Sequence, residues 1–362
     1  MNKLEDKINI ATSSNRQRDS AQLLVIHADQ DGSKIDSHTS GINYLNRNLF
    51  TQQFKAGDVV VANAAATLPA SFSGTHCASG VELELRLAQN LDATNKLFSH
   101  WKGFVFGKGN WRMPTESRTK IPTLKSGDRL CFDEGLQAEI IALSTKSERF
   151  IEIKFLAGEA DLLHKIYQAG RLIQYSYHQQ ELDLWDGQTI FAGKPIAIEA
   201  PSASFMLTWE MILDLQNRGV EVVSLHHAAG ISSTGEQHLD ALLPLPEYFE
   251  IPEETAAVIN CAKQEQRRVI ALGTSVTRAL ESAADQDGNV RPGSGIATLL
   301  LTPSYPRKVV TGLVTGMHED GTSHLQLLQS FAPWKLIEKA YSQAKKLGYL
   351  WHEYGDSCLI FA

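Results

Sequence analysis

Hydrophobic positions change period along this chain, and the changes mark out its elements. From Pro195, Ile196 and Ile198 alternate with smaller residues, as along a strand, and Pro201 ends the run. Leu207, Met211 and Leu215 then recur at helical spacing. Ser202 or Ser204 is placed to cap that helix, and Gly219 stands where a left-handed C-terminal cap belongs. Val220 to Leu225 returns to a β-rich run. Such a strand-helix-strand unit sets the first turn and the exit of the second strand at one sheet edge, where α/β proteins hold ligands. The same reading predicts strands over Leu23–Ile26, Val59–Ala62, Arg268–Leu272, Lys308–Thr315 and Leu359–Phe361. It predicts helices over Tyr44–Phe50, Glu159–Ala169, Pro252–Gln266, Ala279–Ala284 and from Ser323 onward, with a break near Pro333.

From Ser71 to about Ala157 the pattern becomes strands and turns. Val81 to Leu87 alternates strictly between apolar and charged residues, and Ala138–Ala142 and Arg149–Phe155 read as further strands. The expected architecture is a mixed-sheet α/β domain, residues 1–70 and 158–362, carrying an inserted small β-barrel domain, residues 71–157.

Composition narrows the classes. No apolar run approaches the roughly 20 residues of a membrane span, and Met1 to Lys7 lacks the apolar core of a signal peptide, so a cytoplasmic protein with no membrane partner is expected. The four cysteines, Cys77, Cys131, Cys261 and Cys358, form no C-x-x-C pair, and each is expected to be a quiet free thiol. A net charge of −7 disfavours a broad nucleic-acid face. One stretch runs the other way: Lys102, Lys108, Arg112, Arg118, Lys120 and Lys125 interleave with Trp101, Phe104, Phe106 and Trp111. It reads either as a backbone-and-base contact surface or as a solvated loop beside a core.

The chain has no G-x-G-x-x-G, P-loop, H-E-x-x-H or G-x-S-x-G motif. His226 and His227 are adjacent, so on a strand they face opposite ways and cannot share one metal; no metal is expected. What remains is a set of polar residues at strand exits: Asn63, Ser202, His226, Thr274 with Ser275 and Arg278, and His318. Each has a plain structural reading as turn residue, cap, core imidazole or ion pair. Together they describe a polar cleft without a reaction.

These segments resemble a known family, the S-adenosylmethionine:tRNA ribosyltransferase-isomerases of queuosine biosynthesis. Arg18-Asp19-Ser20 with Leu23-Leu24-Val25 is similar to the family's R-D-S-S-x-L-L-V. Gly57-Asp58-Val59-Val60-Val61-Ala62-Asn63 is similar to G-D-L-L-V-F-N, and Gln188-Thr189-Ile190-Phe191-Ala192 to Q-T-V-Y-A. Ala200-Pro201-Ser202-Ala203 resembles A-P-T-A, and Leu225-His226 the L-H of L-H-V-G. Gly273 to Ser282 resembles G-T-T-S-V-R-T-L-E-S. His318 falls on the histidine of N-F-H-L-P, and Tyr354-Gly355-Asp356 on Y-G-D.

The resemblance implies the same α/β-plus-barrel fold. It also implies S-adenosylmethionine as a substrate rather than a resident cofactor, and tRNA as acceptor. The sulfonium acidifies its neighbouring carbon, which His226 or His318 could deprotonate. Ser202, Thr274 and Ser275 could hold the sugar or the leaving adenine, and Arg278 the methionine carboxylate. Substrate-binding roles for Arg18, Asp19, Asn63, Tyr177 and Asp356 follow from the same matches. The motifs also depart: N-D-T-R reads Asn63-Ala64-Ala65-Ala66, the histidine of A-P-T-A-G-L-H-F is Met206, M-H-S-E reads Pro244-Leu245-Pro246-Glu247, and P-P-Y reads Tyr175-Ser176-Tyr177. Three functions are therefore expected to compete: the tRNA enzyme, a divergent paralogue that uses S-adenosylmethionine or a related nucleoside with another amine, and a non-catalytic nucleoside-binding protein.

Overall fold

Nine strands form one mixed sheet in the order Gly293–Ala297, Glu247–Ile251, Glu221–His227, Val59–Asn63, Val269–Leu272, Gly312–Gly316, Ser357–Phe361, Gln22–His27 and Ile42–Asn46. The computed structural model describes residues 8–12, 20–28, 41–95, 98–318 and 323–362. The third to sixth strands run parallel, so their C-terminal ends share one edge. Val59 to Ala62 are wholly buried, as a parallel strand covered on both faces must be. Val60, Ala62, Ile270 and Val314 pack toward the Trp209–Asn217 helix through Ile212 and Leu215. Val59, Val61, Val269 and Ala271 pack the other way, against Ile259 of Glu253–Gln264, Leu280 of Thr274–Ala283 and Ile337 of Trp334–Lys346. Each such buried Val, Leu or Ile side chain contributes about 1.5–3 kcal/mol.

Several local expectations give way to tertiary pairing. Tyr44 belongs to a strand, Ile42–Asn46, paired with Gln22–His27, and only short 3-10 turns follow it. The helix after Pro201 starts at Trp209, where the Thr208 hydroxyl accepts from Met211 N at 3.3 Å; Ser202–Ser204 is a separate 3-10 turn and caps nothing. Gly273, at φ 103, turns the chain directly from strand into helix, so the helix begins at Thr274 rather than Ala279. The strand expected from Lys308 begins only at Gly312. The amides of Lys308, Val309 and Val310 donate instead to the Glu281 carboxylate at 2.9–3.0 Å.

Six antiparallel strands between Ser71 and Phe155 close into a barrel. Phe72, Leu85, Trp101, Val105 and Ile153 fill it. Phe104 and Phe106 lie outside that core and are covered by Ile231, Leu239 and Leu245 of the α/β part. Of the aromatic residues read either as a contact surface or as part of a loop beside a core, Trp101, Phe104 and Phe106 are packing residues, and half-buried Trp111 is covered by the Arg112 guanidinium at 4.9 Å. Arg118 is buried as well, paired with Glu84, which also accepts from Arg86 Nε at 2.6 Å and Ser71 Oγ at 2.7 Å. The cysteine expectation is corrected: Cys131 lies opposite Thr75 on the neighbouring strand, close to Cys77, and the two form a disulfide with a Cα separation of 5.6 Å. Residues 54 apart in sequence are brought together by barrel closure, which no local spacing reveals. Cys261 and Cys358 are free.

At the shared edge, the Asn63 side chain is wholly buried. Its Nδ2 donates to His227 O at 2.9 Å, while Oδ1 accepts from His227 N and Ala65 N, both at 3.0 Å. The His227 ring is sealed from water. Its Nε2 lies 3.3 Å from Glu247 but out of hydrogen-bond alignment, because Glu247 is paired with Arg278. Burial, helped by the Arg278 charge, pushes the imidazole down from 6.5 to about 3.

Two predictions follow from these buried groups. Glu84→Ala leaves two buried guanidinium groups without their carboxylate and is expected to destabilise the protein by about 3–5 kcal/mol in denaturant unfolding. His227 takes a proton in the unfolded chain below 6.5 but in the folded chain only near 3, so stability falls as pH drops across that window. Melting temperatures at pH 7.5, 6 and 5 should decline, and His227→Phe should make the decline shallower.

Candidate active site

Three chain segments meet at the C-terminal edge of the parallel strands. A Cβ placed on Gly273 would stand 3.4 Å from Ala203 Cβ, so the Ser202–Ser204 turn touches the start of the Thr274–Ala283 helix. Ser202, Gly316, His352, Glu353 and Asp356 then line one narrow cleft. The structure thus brings together Ser202, Thr274 and Ser275, with Tyr177 attached through its bond to Glu353.

His318 follows the Gly312–Gly316 strand. Its Nε2 lies 2.6 Å from Thr315 Oγ1, and its ring stacks on His324 with centroids 4.8 Å apart and planes 9° from parallel. Burial holds the His318 pKa well below the usual imidazole value, and the fields of His324 and His352 push it the same way. It is therefore neutral at pH 7.

A second cluster forms the wall beside His352. Tyr175 donates to Glu199 and Tyr177 to Glu353. The two phenol rings stack at 5.7 Å, and the His352 ring stacks on Tyr177 at 4.4 Å. Burial pushes the Glu199 carboxyl up to about 7; the Glu353 charge adds to this, while bonds from Ser232 and Tyr175 oppose it. Burial, then the two carboxylates, raises both phenols well above 10. His352 holds a left-handed backbone, φ 71, uncommon for any residue but glycine.

Other expected residues lie elsewhere. His226 faces away from His227, beside Lys194 and Glu250. Arg278 is buried and fully engaged, bonding Glu247, Leu245 O, Ala297 O and Leu299 O, which leaves it no group for a substrate carboxylate. Asn63 is spent on the His227 backbone. Asp356 accepts from Gln22 N and Leu350 N at 2.9 and 2.8 Å, a tie between strands at the cleft floor. Arg18 and Asp19 lie outside the described residues. Among the described residues, no three His, Cys, Asp or Glu are grouped to hold a metal, and no helix is long and apolar enough to cross a membrane.

Sequence reasoning missed Glu199, Glu353, His324 and His352. Glu199 did carry a signal: it is a lone carboxylate in the otherwise apolar run Ile196–Pro201. The other three carried none, because their meeting depends on where the last helices and strands dock.

Comparison with known proteins agrees with this architecture. A family described as "Queuosine biosynthesis protein" matches residues 4–360. The S-adenosylmethionine:tRNA ribosyltransferase-isomerase of Desulforamulus reducens is 30% identical over 97% of this chain and 96% of its own. That of Chloroherpeton thalassium is 28% identical over 98% and 97%. The crystal structure of S-adenosylmethionine tRNA ribosyltransferase from Thermotoga maritima superposes with a TM-score of 0.50 over 98% of both chains at 21% identity, a likeness of fold. The chain therefore belongs to the queuosine biosynthesis protein family.

Proposed function

We propose that this protein transfers and isomerises the ribosyl part of S-adenosylmethionine onto the aminomethyl-deazaguanine of tRNA, releasing adenine and methionine. The observation that carries this reading is relatedness over the full length of enzymes named for that reaction. The cleft lies where the fold places ligands, at the exit edge of parallel strands. The barrel, 71–157, is an inserted domain on an α/β domain of 1–70 and 158–362.

His318 is the base for the carbon beside the sulfonium. It is neutral, it is oriented by Thr315, and it stands two residues beyond Gly316, which lines the cleft. Ser202, Thr274 and Ser275 meet the sugar or adenine. The methionine carboxylate goes to the amides opening the Thr274–Ala283 helix, since Arg278 is occupied. His226 serves no step.

Incubation with S-adenosylmethionine and tRNA carrying the aminomethyl-deazaguanine should add mass to the tRNA and release adenine one for one. Neither signal appearing would remove the reading. His318→Asn should lower kcat by about 10²–10⁴-fold with KM for S-adenosylmethionine changed less than about threefold. His226→Asn should stay within about threefold of the parent in the same adenine-release assay.

A further inference from the structure

Glu353 lines the cleft, and Glu199 is linked to it through the stacked Tyr175 and Tyr177 rings. Each bonds a phenol, and each lies within the other's field, since Glu353 raises Glu199. Among the described residues no lysine or arginine pairs with either. Several buried or partly buried acids elsewhere are matched by guanidinium groups, Asp58 by Arg268, Glu84 by Arg86 and Arg118, Glu236 by Arg149 and Glu247 by Arg278, while buried Glu281 and Asp356 are held by backbone amides. Glu199 and Glu353 are held instead by the phenol hydroxyls.

A second observation points the same way. His178 is 5% exposed, its ring packs on Tyr177 at 4.6 Å and edge-on to Tyr354 at 5.5 Å, and its Nδ1 has no hydrogen-bond partner among the described residues. Burial keeps the ring neutral-leaning, although the Glu353 charge works against this. An unpartnered polar nitrogen, two half-buried carboxylates and a ladder of three stacked rings, Tyr175, Tyr177 and His352, therefore stand together beside the cleft. Aromatic faces attract cations, and carboxylates without a fixed counter-charge do so more strongly.

We propose that Glu199 and Glu353, with the stacked rings of Tyr175, Tyr177 and His352, form a subsite that binds the cationic group of a substrate. This rests on the function proposed above, whose reactants carry two such groups. One is the sulfonium of S-adenosylmethionine and the other the ammonium of the acceptor's aminomethyl group. The bound cation supplies the positive charge that these carboxylates lack, and the subsite selects the charged reactant over its neutral product or analogue.

Calorimetry on the full chain tests this with two matched pairs of probes. S-adenosylmethionine is compared with S-adenosylhomocysteine, whose sulfur is neutral. The aminomethyl-deazaguanine nucleoside is compared with its N-acetyl form, whose nitrogen is neutral. The readout is the ratio of charged to neutral affinity in the parent protein, in Glu199→Gln and in Glu353→Gln. The amides keep the shape of the acids and can still accept from the phenols. Preference for the charged member of one pair, falling at least about tenfold in either variant, is the expected result, and the pair that responds identifies which cation sits there. Ratios unchanged in both variants while the parent binds S-adenosylmethionine would overturn the subsite and leave the proposed function standing. A parent that binds neither S-adenosylmethionine nor its analogue would overturn the proposed function, and the subsite with it.

Discussion

The side-chain amide of Asn63 is the contact on which the rest of the site depends. It spans from the end of its own strand to both backbone groups of His227 and back to Ala65. A buried amide satisfied this completely costs little, and it fixes two parallel strand ends in register. Everything beyond that register follows from it. Ala65 departs toward the short Ala65–Thr67 strand and the barrel, His227 turns inward toward Glu247, and the loop after it reaches the cleft. The same residue type could have been a ligand to substrate. Its donors and acceptors are used up in holding the frame.

Charge is distributed with the same economy. In the barrel and along the Glu247 strand, buried carboxylates meet guanidinium groups, so the low-dielectric interior carries matched pairs. The barrel docks on the α/β part through an apolar patch around Phe104 and Phe106, flanked by Arg149 with Glu236 and by Thr115 with Thr234. The segment it covers, 231–245, is continuous with Ser233, whose carbonyl accepts from Tyr175 at the cleft. Barrel and cleft are therefore joined by one short stretch of chain. Tyr175 in turn donates to Glu199 and stacks on Tyr177, which donates to Glu353.

Much of the fold could be read from residue order. Strand and helix periods placed Val59–Asn63, Glu159–Ala169 and Val269–Leu272 almost to the residue, since their apolar spacing reflects backbone geometry. Tyr44 reads as helical in sequence because an edge strand with one wet face has a weak period, and pairing with Gln22–His27 decides it. Lys308 to Val310 look like a strand, yet the Glu281 carboxylate takes their amides, and nothing near them in sequence announces it.

Residue order alone thus settled the alternation of elements, the barrel insertion and the family, because these are written in short apolar patterns and in motifs that keep their sequence. It could not say which polar groups converge. His226 and His227 differ by one position, yet one faces Lys194 and the other is sealed beside Arg278. Arg278, a natural carboxylate partner on paper, is consumed by Glu247, while Glu199 and Glu353 come together through the stacked Tyr175 and Tyr177. The reason is physical: a period arises from a few bonded neighbours, whereas a site arises from the docking of distant strand ends, and docking decides which charges find partners and which are left for a ligand.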